Sequence, residues 1–230
     1  APLKGKLSIV GLVRGSTPDE EYATIQASHT NNAPITITEL RIQSRVSRTG
    51  GTIPRAWVLP FLTGAGEGEV VKLRPGERAY LISGYSPLAL SSGGRSPTSS
   101  FQLNRCTGYF EQGLNFYPSL PLECPHPTDE PLPPPPNALS EACYEHLWRL
   151  GSCTVPPPVP LHLSTDGNCQ VHLANKINYN QCVSYHKNEP DFYRGEWHLY
   201  LNRGARLWRD RNEIVELVDA EGKLIDARVY

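Results

Sequence analysis

Six cysteines, Cys106, Cys124, Cys143, Cys153, Cys169 and Cys182, are confined to one stretch of a 230-residue chain, among prolines and loops. An even count packed in this way reads as three disulfides formed in an oxidising compartment. Six cysteines admit about 15 pairings, and spacing alone does not choose among them. A structural zinc site needs close ligand pairs such as C-x₂-C. The nearest cysteines here, Cys143 and Cys153, are too far apart, and Cys124-Pro125-His126 is the one tight Cys/His pair. The spacing therefore favours crosslinks over metal. The expectation is an exported protein with no metal and no cofactor.

The rest of the composition fits that compartment. With 39% hydrophobic and 20% charged residues, a packed core is feasible. The 19 glycines and 22 prolines call for many turns and short elements. A net charge of −1 offers no footprint for nucleic acid. No apolar run approaches the roughly 20 residues of a spanning helix; Ile9–Val13 and Ala56–Leu62 are broken by Gly or Pro. The chain contains no Met, and Ala1-Pro2 reads as a mature start after signal-peptide removal.

The periodicities divide the chain into three parts: residues 1–90, a Cys- and Pro-rich insertion over 91–195, and 196–230. The first part reads as strands: Lys6–Val13 with a Gly that marks a bulge, Tyr22–Ala27, Ile35–Thr38, and a further alternating strand at Leu40–Gln43. A phase slip at Thr38-Glu39 implies a bulge or tight corner between the last two. Gly50-Gly51 is expected to turn, Trp57–Leu59 and Val70–Leu73 to be strands, and Arg74-Pro75-Gly76-Glu77 to turn with Gly at positive φ. A Ser/Gly/Pro loop over 83–100 opens the insertion. The insertion has proline runs at 131–136 and 156–160, an expected helix over Ala138–Leu150 capped by Asn137, and short helices over Asn168–Lys176 and Asn178–His186. In the last part Trp197–Leu201 alternates, and Asn212–Tyr230 reads as a hairpin. There Val215 and Leu217 face one way, and Ile225, Ala227 and Val229 share a face on the return strand.

The order of these pieces resembles the lamin tail domain family, in the form that occurs in exported bacterial proteins. The residues that carry the resemblance are Glu21-Tyr22-Ala23-Thr24-Ile25, Pro34–Ile37 leading into Leu40-Arg41-Ile42, Leu73–Glu77, and Asn212–Gly222 with Lys223–Tyr230. The chain departs from the family pattern at Thr24 and Ala27, where an acidic residue and an Asn are usual, and at Glu39-Leu40, where Gly-Trp is usual. The resemblance implies a mainly β, immunoglobulin-like sandwich interrupted by a disulfide-stapled, loop-rich insertion with short helices. It also implies a scaffolding or tethering role and carries over no catalytic residue.

Candidate sites are few. The motifs H-E-x-x-H, P-loop and G-x-S-x-G are absent. The acidic runs Asp19-Glu20-Glu21 and Glu189-Pro190-Asp191 read as solvated loops, and Asp219 with Glu221 reads as a turn, not a calcium ligand pair. Tyr185, Tyr193, Trp197, Arg206 and Trp208 form a candidate interaction surface, with packing as the competing role for the aromatics. Arg203, Arg206, Arg209 and Arg211 are the basic cluster, for an acidic partner or for a solvated face. Leu7, Ile9 and Val13 mark a strand that a subunit could donate to a neighbour.

These readings lead to a non-enzymatic extracellular structural protein that self-assembles into a surface layer or filament. Its partners are then copies of itself or another surface protein, with no nucleic acid and no membrane span. The alternative is a monomeric cell-surface module binding a glycan or a protein. A third class, a hydrolase with its site in the insertion, has no motif behind it.

Overall fold

A computed structural model of the chain describes residues 2–60, 68–91 and 99–230. Phe61 and Leu62 of the early apolar run, Ala1, and residues 92–98 of the expected loop lie outside the described residues. The chain divides into two compact units. The first comprises 1–103, 115–118 and 194–230; the second comprises 104–114 and 119–193. The second begins later than the insertion expected from residue 91, because Phe101–Asn104 forms a strand of the first unit's main sheet.

The first unit is built from strands. β1 (Leu7–Val13), β2 (Tyr22–Ala27), β3 (Ile35–Thr36), β4 (Arg41–Ser44), β5 (Gly50–Thr52), β6 (Lys72–Leu73) and β7 (Arg78–Ile82) precede the one-turn helix α1 (Pro87–Ser91) and β8 (Phe101–Asn104). After the second unit come β9 (Tyr193–Tyr200), β10 (Ile214–Val218) and β11 (Leu224–Val229). They form a five-stranded sheet of order β1-β2-β7-β9-β8, a four-stranded sheet of order β11-β10-β4-β5, and the small β3-β6 pair. The larger sheet is mixed, since β7 and β9 run parallel. One buried cluster draws on strands of all three sheets: Ile9, Ile25, Ala79 and Leu199 from the larger, Ile42, Val215, Leu217 and Ile225 from the four-stranded one, and Leu73 from the pair.

Several local features follow from the sequence. β1 shifts register between Ile9 and Gly11, the expected bulge. The Arg74–Glu77 turn closes with Glu77 N donating to Arg74 O at 3.0 Å, and Gly76 holds φ at +83°. At the expected slip Glu39 sits at φ +73° and Leu40 N donates to Ile37 O, making the tight corner that lets Ile37, Leu40 and Ile42 all point inward.

Other expectations are corrected. Gly50 and Gly51 lie in β5, where Gly51 faces Leu201 so closely that a Cβ would stand 3.0 Å from its side chain. The chain instead reverses at 45–48, with Ser47 N bonded to Ser44 Oγ and Arg48 at φ +54°. Trp57–Leu59 forms only a single bridge, from Trp57 to Phe101, and Val70–Leu73 shrinks to the two residues of β6.

The most consequential correction is in the terminal hairpin. The β10/β11 register shifts between Leu217 and Val218, so Ile225 is buried but out of phase with Ala227 and Val229. Residues directly opposite in an antiparallel pair share a face. Asp226, half-buried, stands opposite Leu217 and Arg228 opposite Val215, while Arg228 is exposed along with Ala227 and Val229. The aliphatic run Ile225–Ala227–Val229 suggests one buried face, and the bulge breaks it.

The second unit is helical and loop-rich. It contains a 3₁₀ turn (Thr107–Glu111), α2 (Glu141–Arg149), a second 3₁₀ turn (Leu161–Leu163), α3 (Gly167–Lys176) and α4 (Tyr179–His186). Its disulfides are Cys106–Cys182, Cys124–Cys153 and Cys143–Cys169, and no cysteine is free. α2 starts at Ser140, not at Asn137. Ser140 Oγ accepts from Cys143 N at 3.1 Å, while Asp166 Oδ1 caps α3 by accepting from Cys169 N at 2.9 Å. The two caps bond each other, Ser140 Oγ donating to Asp166 Oδ2 at 2.6 Å, and the two capped cysteines form the crosslink. Gly108 explains itself by close approach: a Cβ there would collide with Cys153 Sγ and lie 2.7 Å from Pro121 O.

Candidate functional sites

Within the second unit the densest polar cluster centres on His186, in the last turn of α4. Its Nδ1 lies 2.7 Å from Glu189 Oε1, and its Nε2 lies 3.1 Å from both oxygens of Glu130. Glu189 is also bound by Arg105 NH1 at 2.6 Å. Burial pushes the Glu130 carboxyl up, whereas the hydrogen bond from His186 holds Glu189 below the usual carboxylate range. Burial and the nearby Glu130 charge push Tyr109 up to about 12. Glu130, Cys182 and His186 place three ligand atoms within 4.8 Å of one another. Cys182, however, is disulfide-bonded to Cys106, so it has no thiolate to offer a cation. The imidazole has a carboxylate at each nitrogen, so neither nitrogen is free to take a proton from a bound substrate. The arrangement can tie α4 to two loops; as a general base it is blocked.

A cleft of about 330 Å³ in the same unit is lined by Pro133, Asn137, Asn168, Val171, His172 and Lys176. His172 is buried, its Nε2 has no partner among the described residues, and burial followed by the Lys176 charge lowers its pKa. Around these features the unit leaves large apolar side chains in solvent. On α2, Tyr144 and Trp148 stand four residues apart on one face, and Trp148 is 68% exposed. Leu161 and Val171 are exposed too. Sequence reasoning missed Tyr144 and Trp148. Their signal was available: Cys143 and Leu147 point α2 inward, which leaves the residues immediately after each of them facing out.

The expected interaction surface does not assemble as such. Tyr185 and Tyr193 belong to the second unit, half-buried and 41% exposed respectively. Trp197 and Trp208 belong to the first unit's core at 5% and 3% exposure, so both are packing residues and the surface role is corrected for them. Alternation explains Trp197, which shares the inward face of β9 with Leu199. Arg206 is half-buried, paired with Asp210 at 3.2 Å and donating to Gly15 O at 3.4 Å.

In the expected donor strand, Leu7 and Ile9 are core residues, while Val13 is exposed at the end of β1. β1 pairs with β2 of its own chain and is an edge of the larger sheet. At that edge Ile9 N donates to Asp226 Oδ2 at 2.7 Å, and Arg228 NH1 donates to Ile9 O at 3.1 Å. These two charged side chains of β11 thereby occupy both backbone groups of Ile9, a known way of blunting an edge strand. The turn reading of Asp219 fits the structure: Asp219 Oδ1 accepts from Lys223 N at 2.7 Å.

The buried titratable groups of the first unit include His198 and Glu21. His198 on β9 is fully buried among Tyr80, Phe101, Phe116 and Tyr200, and burial lowers its pKa to about 3. Its Nε2 has no partner among the described residues. Glu21 accepts from Ser83 Oγ at 2.6 Å and from Leu207 N, and burial raises its pKa. The Asp19–Glu21 run is therefore not a solvated loop throughout, since its last member is a core acid. Among the described residues no helix is long and apolar enough to cross a membrane.

Comparison with known proteins gives no similarity to build on: no family model matches the chain, and no curated protein or solved structure matches it.

Proposed function

We propose that this chain is an exported, non-enzymatic interaction protein that binds a partner protein through the exposed aromatic face of α2. The observation that carries the reading is Trp148. A tryptophan is the side chain most enriched at binding hot spots, and this one stands 68% exposed beside Tyr144 on a helix pinned by Cys143–Cys169. A crosslinked helix loses little entropy when a partner docks on it. The blocked imidazole of His186 supports the non-enzymatic part, and three disulfides fit an exported protein.

The same reading takes the first unit as an immunoglobulin-like sandwich of the lamin tail kind that displays the cysteine unit. Support comes from the core residues shared between the larger and the four-stranded sheets and from the terminal hairpin. A self-assembling surface subunit is the second reading, favoured by the exposed Val10, Val13 and Val229 on the edge strands β1 and β11. Light scattering and electron microscopy of the oxidised protein across concentrations separate the two. A monomer at all concentrations, with partner-protein binding lost in Trp148→Ala, supports the interaction module. Regular filaments that still form in Trp148→Ala would sink it in favour of the subunit.

A further inference from the structure

We propose that the recess between the 44–49 and 206–213 loops of the first unit is a docking site for a sulfated or otherwise oxyanion-bearing polysaccharide, independent of the α2 face. The recess, about 720 Å³, is lined by Ser47 and the run Arg206–Arg211. Its walls are fixed from below. Buried Glu213 accepts from Val46 N at 3.1 Å, from Ser47 Oγ at 2.9 Å, from Arg209 N at 3.4 Å and from Ile214 N at 3.0 Å. Burial raises its pKa, but the hydrogen bond from the Ser44 side chain, with those from Ser47, Val46 and Ile214, more than offsets this and holds it below the ordinary carboxylate range. Thr49 Oγ1 donates to Leu207 O, and Arg203 NH1 donates to Gly50 O at 2.6 Å, so the two loops are stitched directly as well.

The acids of this region are already engaged. Asp210 is paired with Arg14 at 2.7 Å and with Arg206 at 3.2 Å, and Glu213 is consumed by the scaffold. Arg209 and Arg211 are exposed, line the recess and have no acidic partner among the described residues. In a chain of net charge −1 this is a local excess of guanidinium. The planar fork of arginine matches sulfate, phosphate and carboxylate groups. The chemistry of the recess also narrows the partner. Leu207 and Trp208 turn into the core, so the solvent-facing side chains of the lining are Ser47, Arg206, Arg209, Asp210 and Arg211, all polar or charged. The disulfides fit an oxidising compartment, and a polysaccharide bearing sulfate groups is the oxyanion-bearing partner taken for the test.

The test is titration calorimetry of the oxidised full chain with heparin as the sulfated probe, at low and high salt. Binding that weakens with salt and falls at least about tenfold in Arg209→Ala/Arg211→Ala, as loss of two charge-assisted contacts predicts, supports the site. Arg149→Ala, an exposed arginine of α2, is expected to bind as the parent does. Equal binding by the parent and the double variant overturns the proposal, as does no binding at millimolar heparin. Binding to phosphatidylglycerol vesicles with none to heparin also overturns it and assigns the recess to a membrane surface instead.

Discussion

The sheet unit holds its shape through a core that gathers side chains from three sheets, and it closes its exposed β1 edge with two charged side chains. The cysteine unit has short helices of eight to ten residues, too short to persist alone in water, and it substitutes covalent bonds for core volume. It can therefore leave Tyr144, Trp148, Leu161 and Val171 in solvent, which a unit stabilised by burial alone could less easily tolerate. The difference teaches where to look for recognition. In the sheet unit Trp197 and Trp208 are spent on packing, and in the crosslinked unit Trp148 is left outside.

The largest expected effect comes from removing the crosslinks. The three disulfides close loops of 26 to 76 residues, each worth about 3.5 to 4.5 kcal/mol on a chain-entropy account. Under reductant, hydrogen exchange is expected to show residues 104–114 and 119–193 losing protection while β1, β2, β7 and β10 keep theirs. Simultaneous loss in both units would break the comparison and make the sheet unit dependent on the crosslinks.

The next effect belongs to the sheet unit and is set by pH. His198 is neutral when folded, with its pKa lowered to about 3, whereas an unfolded histidine titrates near 6.5. Between those values the unfolded chain binds a proton that the folded chain does not, so stability falls as pH falls through that window, by up to about 1.4 kcal/mol per pH unit. Urea unfolding followed by near-ultraviolet circular dichroism at pH 7 and pH 4.5 measures the slope. His198→Leu is expected to flatten it by one proton, and an unchanged slope would mean that His198 is protonated in the folded state.

The smallest effect sharpens the role of the edge. Asp226→Ala removes the acceptor of Ile9 N, and loss of a hydrogen bond to a charged group costs about 1.5 to 3 kcal/mol. The variant is also expected to associate at high concentration, because a freed edge strand can pair with another chain. Sedimentation velocity reads this directly; a variant that is destabilised but strictly monomeric would limit Asp226 to a structural tie.

Much of this architecture was legible in the residues. The Gly76 turn, the Glu39 corner, the β1 bulge and the helices at α3 and α4 each follow from local chemistry with one dominant solution. The hairpin over 212–230 was legible as an element but not in phase, since nothing in Leu224–Val229 announces the bulge that brings Asp226 and Arg228 to Ile9. The cap of α2 differs from the expected Asn137: Asn and Ser cap about equally well in isolation, and Ser140 takes the position as cap-x-x-Cys recurs at Asp166–Cys169 and the crosslink joins both helix starts. The site was least legible. Whether Trp197 or Trp148 faces solvent depends on which neighbours cover it, and that is decided by long-range register and crosslinking, not by the aromatic residues themselves. The recess at 206–211 was visible only as a run of arginines, because its rigidity comes from Glu213 acting on a loop distant in sequence.

The parallel pairing of β7 with β9 has a consequence for the order of events during folding. β9 sits between β7 and β8, yet the whole cysteine unit lies in the chain between β8 and β9. An interior strand of the larger sheet thus arrives late, after a long excursion. Cys106 follows β8 almost immediately and Cys182 precedes β9 by about a dozen residues, so their disulfide acts as a shortcut across the excursion. Shortening the effective loop in this way lowers the entropic cost of seating β9 by roughly 2 kcal/mol. Oxidation of one bond in the second unit is therefore expected to set the pace at which the first unit's sheet closes.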